Sequence, residues 1–180
     1  MVTRKSYRRV VPALGALVVA ATLTACGGGQ PGAAALVGDR AVPSADVTAV
    51  TRDLTAIAGD AAPSSTIVLI ALAQAPAVLE HTEEAGLGYS DQQARDDLAA
   101  QTGGDPEDFA DATVTYVRTN AAIQALQSAP DAQAIATAIS EDLASDGIEF
   151  NPRFGTLTDE GAVVSTTYPW LVPTAAAVAP

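Results

Sequence analysis

Residues 34–54 read AALVGDRAVPSADVTAVTRDL, and this stretch decides the fold. Ala35-Leu36-Val37 and Arg40-Ala41-Val42 are two short apolar runs separated by Gly38-Asp39. A two-residue Gly-Asp connection supplies the positive φ of a tight hairpin, so the spacing predicts a pair of antiparallel strands. Pro43-Ser44 follows, and Ser44 is a helix-capping residue type. Val47, Val50, Leu54 and Ile57 then recur at spacings of three and four, which is one face of a helix ending at Gly59.

Downstream the same logic predicts four more helices. Ser64-Ser65 opens the second, whose centre is the almost uniformly apolar run IVLIALAQAPAVL at residues 67–79. Gln74 and Pro76 interrupt it, and the run is too short to span a bilayer. It reads as a core helix with a kink near Pro76, ending around Gly86. Ser90-Asp91-Gln92-Gln93 is a capping box for a third helix reaching about Gln101. Gly103-Gly104 breaks it, and Asp105-Pro106 is expected to start a fourth, with Pro at its first position. Phe109, Ala112, Tyr116, Ile123 and Leu126 share its apolar face. After Pro130-Asp131, Ile135, Ile139 and Leu143 mark a fifth helix to about Ser145, and residues 147–150 form a short late strand. The expected class is mostly α: about five helices bracketed by an N-terminal β-hairpin and a late strand that pairs with it.

Upstream lies an address. Arg4, Lys5, Arg8 and Arg9 are followed by an uncharged apolar stretch over residues 10–23. Then come Leu23-Thr24-Ala25-Cys26 and Gly27-Gly28-Gly29. A cationic segment, an apolar core and small residues before a cut site define a secretory signal. Its end resembles the bacterial lipobox. The resemblance implies cleavage after Ala25, a diacylglycerol thioether on Cys26 Sγ and acylation of the new N-terminus, which together hold a protein firmly on a bilayer. The expected location is extracytoplasmic, anchored to the bacterial cell membrane as a lipoprotein. Arg8-Arg9 leaves the export route, general secretory or twin-arginine, open. The organisation is a signal peptide at 1–25, the lipidated Cys and a glycine-rich tether at 26–34, a helical domain at 35–158, and a Pro/Ala-rich tail at 159–180.

Charge narrows the function. From Cys26 onward the chain holds 5 basic and 21 acidic residues, a net −16, and no lysine. Nucleic acid is excluded as the default partner, because its phosphates need a cationic surface. Lysine Schiff-base chemistry and paired-thiol redox chemistry are excluded by composition, and one Cys permits no internal disulfide.

Catalytic signatures are absent from the pattern. His81, the only histidine, lies beside Glu80, Glu83 and Glu84 and reads as a solvated helix end. No G-x-S-x-G elbow is present for a hydrolase triad. The acids Asp105, Glu107, Asp108 and Asp111 lack the alternating spacing and the sixth-position Gly of a calcium loop. They read as first-turn acids meeting a helix dipole. No cofactor or metal is expected. Arg153 reads as a structural ion-pair former.

Two quoted pieces carry a family resemblance. The hairpin and capped helix of residues 34–54 resemble the start of SurA/PrsA-type chaperone domains. IEFNPRFGTL at residues 148–157 resembles the late strand of Gram-positive lipoproteins with a SurA-like N-terminal domain, with Phe154 where Tyr is common and Leu157 where Trp is common. The resemblance implies that the late strand pairs with the early hairpin. It also implies a chaperone-like role: binding exported or unfolded polypeptides, without bond chemistry. Many relatives insert a parvulin prolyl-isomerase domain before the last helix. Here only residues 129–133 separate the fourth and fifth helices, so isomerase activity is not expected to carry over. The alternative role is a structural or assembly lipoprotein docking one envelope partner. The candidate client surface is Leu69, Leu72, Phe109 and Tyr116. Trp170 and Leu171, in the apolar knot YPWLVP at residues 168–173, are the candidate tail that competes for it.

Overall fold

Strand β1 (Ala33–Val37) and strand β2 (Arg40–Pro43) pair antiparallel through Val37↔Arg40, Leu36↔Ala41 and Ala35↔Val42, turning at Gly38-Asp39. Gly38 has φ +55° and Asp39 does not have a positive φ, the pattern of a Gly-first hairpin turn. The computed structural model describes residues 30–157 and 163–164. Strand β3 (Ile148–Phe150) pairs antiparallel with the other side of β1, Ala35 opposite Phe150 and Val37 opposite Ile148. The sheet order is therefore β2-β1-β3, with the first strand in the middle. The early hairpin and the late strand meet as expected.

Five helices make up the rest of the body: α1 (Ser44–Ala58), α2 (Ser65–Glu84), α3 (Asp91–Thr102), α4 (Asp111–Gln127) and α5 (Ala132–Asp146). Helix α1 buries Val47, Val50 and Leu54, the stripe legible in the sequence. Its cap differs from expectation. Pro43 occupies the capping position, and Ser44 is already helical, its N–H donated to the Gly32 carbonyl at 2.8 Å. Helix α2 is the axis of the fold and touches α1, α4, α5, β1 and β2. Among the described residues it is the one helix long and apolar enough to cross a membrane, yet its buried residues pack within the domain. Helix continues on both sides of Pro76. Proline offers no N–H to the Leu72 carbonyl. One residue on, the Ala73 carbonyl accepts a 2.9 Å hydrogen bond from Arg40 Nη2.

The main core joins the sheet to α1 and α2 through Ala35, Val37, Val42, Val50, Val68 and Leu69. Smaller clusters centre on Val78, Ala122 and Ile139, and on Ala94, Leu98 and Val114. Alanines let the helices approach closely, and buried threonines turn their hydroxyls to their own or neighbouring elements. No buried side-chain polar atom among the described residues lacks a partner.

Helix α4 starts later than the sequence predicts. Residues 106–108 form one 3₁₀ turn, and Phe109 and Ala110 are extended. Asp105 and Asp108 close a capping box on that turn alone. Arg95 Nη1 then binds the Pro106 and Phe109 carbonyls, and Arg95 Nη2 pairs with Asp111 at 2.6 Å. Those carbonyls are held by a side chain, so the helix begins again only at Asp111. A second arginine joins three elements. Arg118 Nε donates to the Tyr89 carbonyl at 2.7 Å, and its two amino groups meet Glu83 and Asp91, each at 2.6 Å.

Beyond β3 the chain forms a further two-stranded ribbon, β4 (Thr156–Leu157) with β5 (Val163–Val164), in the register Thr156↔Val164. Strand β5 falls within the stretch read from sequence as a tail.

Candidate functional site

Asn151 builds the site's floor. Its backbone N–H donates to the Ala34 carbonyl at 2.9 Å and its Nδ2 to the Ala33 carbonyl at 3.0 Å, sewing the end of β3 to the start of β1. Its Oδ1 accepts the Arg153 N–H at 3.0 Å, an Asx-type turn. The Phe154 N–H returns to the Asn151 carbonyl at 2.8 Å, and Thr66 Oγ1 on α2 donates to the Phe154 carbonyl at 3.1 Å. The Asn-Pro-Arg-Phe run is thus a local staple that fixes Phe154 against the main core.

Phe154 faces α1 across a groove of about 400 Å³, lined also by Val47, Thr48, Thr51, Thr55 and Ser65. The threonines recur at spacings of three and four beside the buried valine stripe. Each hydroxyl bonds to its own helix: Thr48 to the Ser44 carbonyl at 2.9 Å, Thr51 to Val47 at 2.7 Å and Thr55 to Thr51 at 2.6 Å. A threonine whose hydroxyl is spent on the preceding turn presents its methyl group outward. The groove is therefore apolar although four of its residues are hydroxylated. Arg52 at its rim is 70% exposed and pairs with Asp53 at 2.7 Å.

A second concavity of about 320 Å³ lies between β2, the Pro76 turn and the start of α4. Arg40, Asp46 and Asp111 stand around it, with Leu72 and Leu79 in its wall. Burial pushes the Arg40 guanidinium below its ordinary value, and the nearby Asp146 opposes that. Its hydrogen bond to Ala73 commits it to the fold.

The residues singled out from sequence do not form one surface. Leu69 is 0% exposed and sealed in the main core. Leu72 is 6% exposed and reaches only the wall of the second concavity. Tyr116 packs half-buried on the main core, and burial raises its phenol above the ordinary value, a hydrogen bond with Asn120 opposing. Phe109, outside α4, packs with Ala94, Leu98 and Val114 instead. Cys26, Trp170 and Leu171 lie outside the described residues. His81 is not a bare helix end: its Nε2 lies 2.9 Å from Asp142 on α5, tying two helices. Arg153 is exposed and makes no ion pair within the described residues. No group of three or more His, Cys, Asp or Glu side chains converges among them.

Sequence reasoning missed the groove threonines. Their spacing at 48, 51 and 55 was a signal, but threonine counts as polar until its hydroxyl is seen bonded. Comparison of this chain with family models, with curated proteins and with solved structures finds no match.

Proposed function

We propose that this chain is a lipid-anchored, extracytoplasmic peptide-binding module of the chaperone type, which holds uncharged apolar stretches of exported polypeptides and performs no bond chemistry. The observation that carries it is the methyl-lined groove between α1 and Phe154. An apolar concavity walled by a rigid helix on one side and an aromatic ring on the other suits an extended or helical apolar segment. The net −16 of the chain from Cys26 disfavours acidic clients and favours neutral or basic ones. The β1–β3 pairing supports the SurA/PrsA-like reading of the chain ends, and the lipobox-like segment supports the anchor.

A second reading is favoured by a separate observation. Leu69 and Leu72, two of the apolar residues expected to meet clients, are buried in the body of the domain. Such a body suits an assembly lipoprotein that docks one envelope partner.

A panel of unrelated unfolded proteins separates the two. The chaperone reading expects the full chain to suppress aggregation of several of them and to bind a fluorescent, uncharged apolar peptide. Thr48→Lys with Thr55→Lys, which puts charge into the groove, should abolish both effects. Aggregation that proceeds unchanged across the panel, with no peptide bound, overturns the chaperone reading.

A further inference from the structure

We infer that the free edge of β2 takes up a short extended segment of another polypeptide as a further strand of the sheet, the segment being apolar on one face and flanked by lysine or arginine. The site is separate from the α1–Phe154 groove and does not rest on the function proposed for that groove.

The second concavity is lined by Arg40, Ala41, Val42 and Pro43, all four residues of β2. Side chains alternate between the two faces of a strand, so a space on one face touches every second residue. A space that touches every residue lies along the strand's side. One side of β2 is taken by β1, and β1 contributes nothing to the lining. The concavity therefore runs along the free edge. Among the described residues, no backbone hydrogen bond of Arg40, Ala41 or Val42 reaches any element other than β1. The N–H and C=O groups that point the other way are open to a new strand. Facing them are Leu72, Ala75, Pro76 and Leu79 of α2, with Ala112 and Thr115 of α4. A row of main-chain groups beside an apolar wall is the combination that strand addition uses: the backbone gives affinity and the wall receives alternate side chains. The 320 Å³ of the concavity admits the side chains of a few residues and not a folded domain. Charge selects the flanks. Arg40 is opposed by Asp146, and Asp111 is paired with Arg95, while Asp46 has no ion pair among the described residues. A cationic side chain beside the apolar ones complements Asp46, and the net −16 from Cys26 onward attracts such a segment and repels a second copy of the chain.

The probe is a fluorescein-labelled peptide, Lys-Val-Thr-Val-Thr-Val-Lys, with its valines on one face. The full chain should bind it. Thr115→Trp, which fills the concavity from α4, should weaken binding several-fold while circular dichroism shows the helices intact. The same peptide with glutamate for both lysines should bind several-fold more weakly. Two more peptides carry N-methyl groups, one on the valine amides and one on the threonine amides. Neighbouring amides of a strand point to opposite sides, so one of the two should lose binding and the other keep it, a readout that does not depend on any variant of the chain. Equal behaviour of the two methylated peptides overturns the inference, as does unchanged affinity for the glutamate peptide. A chain that sediments as a dimer until Thr115→Trp separates it has its own copy on the edge, and that also overturns it. Binding abolished by Thr48→Lys with Thr55→Lys but untouched by Thr115→Trp belongs to the α1–Phe154 groove; it overturns the inference and sustains the proposed function. The converse pattern sustains the inference, whatever becomes of that groove.

Discussion

Asp53 Oδ2 on α1 accepts a 2.7 Å hydrogen bond from Thr113 Oγ1 in the first turn of α4. The capping position of α4 is Ala110, which has no side chain able to satisfy the helix's free N–H groups. Asp53 does not replace that cap: it holds the Thr113 side chain, while the Thr113 and Val114 N–H groups go to the Ala110 carbonyl. The Asp53–Thr113 bond ties the first turn of α4 to α1.

Asp53→Ala should therefore destabilise the protein by about 1–3 kcal/mol, since Thr113 is fully buried and its hydroxyl loses its acceptor. Asp53→Asn keeps an acceptor and should lose less. Urea unfolding of the two variants checks the order. Equal losses would show that charge, and not acceptance, is what matters at this joint.

Acid should weaken the same joint. Burial alone pushes the Asp53 carboxyl up, but hydrogen bonds from Thr113 and Arg52, the Arg52 charge and the Ala110 N–H outweigh it and hold it below its ordinary value. A carboxyl depressed in the folded state contributes stability that is complete above the unfolded value of about 4 and is lost as pH falls through the folded one. The stability gap between the wild type and Asp53→Asn should be level from neutral pH down to about 5 and shrink below about 4. Urea titrations at several pH values measure it, and a gap that widens on acidification would contradict the assignment.

Arg118→Lys should cost about 1–2 kcal/mol despite keeping the charge, because one ammonium cannot replace a guanidinium that forks to Tyr89, Glu83 and Asp91. Glu83 and Asp91 are more than half exposed, so each ion pair contributes only ~0–1 kcal/mol and salt should erase little of the loss. Thermal unfolding at low and high salt tests both statements. A midpoint equal to wild type would remove Arg118 from its joining role.

Pro76→Ala should stabilise the chain by about 1–3 kcal/mol, since proline inside a helix forgoes one hydrogen bond and Ala is the best helix former. Pro76 is exposed, so little packing is lost in exchange. A lower denaturation midpoint would show that the ring supports the wall of the second concavity.

The parts of the fold legible in the sequence were those written in local chemistry. Gly38-Asp39 announced the hairpin, Val47, Val50 and Leu54 the buried face of α1, and Ser90 with Gln93 a capping box that the structure contains. The late strand was legible because an apolar Ile148 and Phe150 alternate around Glu149. What stayed hidden depended on distant partners. Arg95 reaches across from α3 to take the carbonyls near Phe109, and no local pattern reveals that. Ser44 looked like a cap, but Gly32, twelve residues earlier, claims its N–H. The two residues of β5 are too few to show an alternation. At the groove, rotamers decide polarity: three hydroxyls folded onto their own helix turn a row of threonines into a row of methyls.

The central place of β1 has a mechanical consequence. Under the lipid anchoring proposed above for Cys26, seven residues lead to Ala33, a leash of at most ~25 Å. A pull on that leash meets the Gly32 carbonyl's bond to the Ser44 N–H first, and next the middle strand of the sheet, where Asn151 bonds the Ala33 and Ala34 carbonyls. Phe154 sits three residues beyond that stitch, so under the proposed anchoring a pull on the leash is passed on toward the residue that walls the groove.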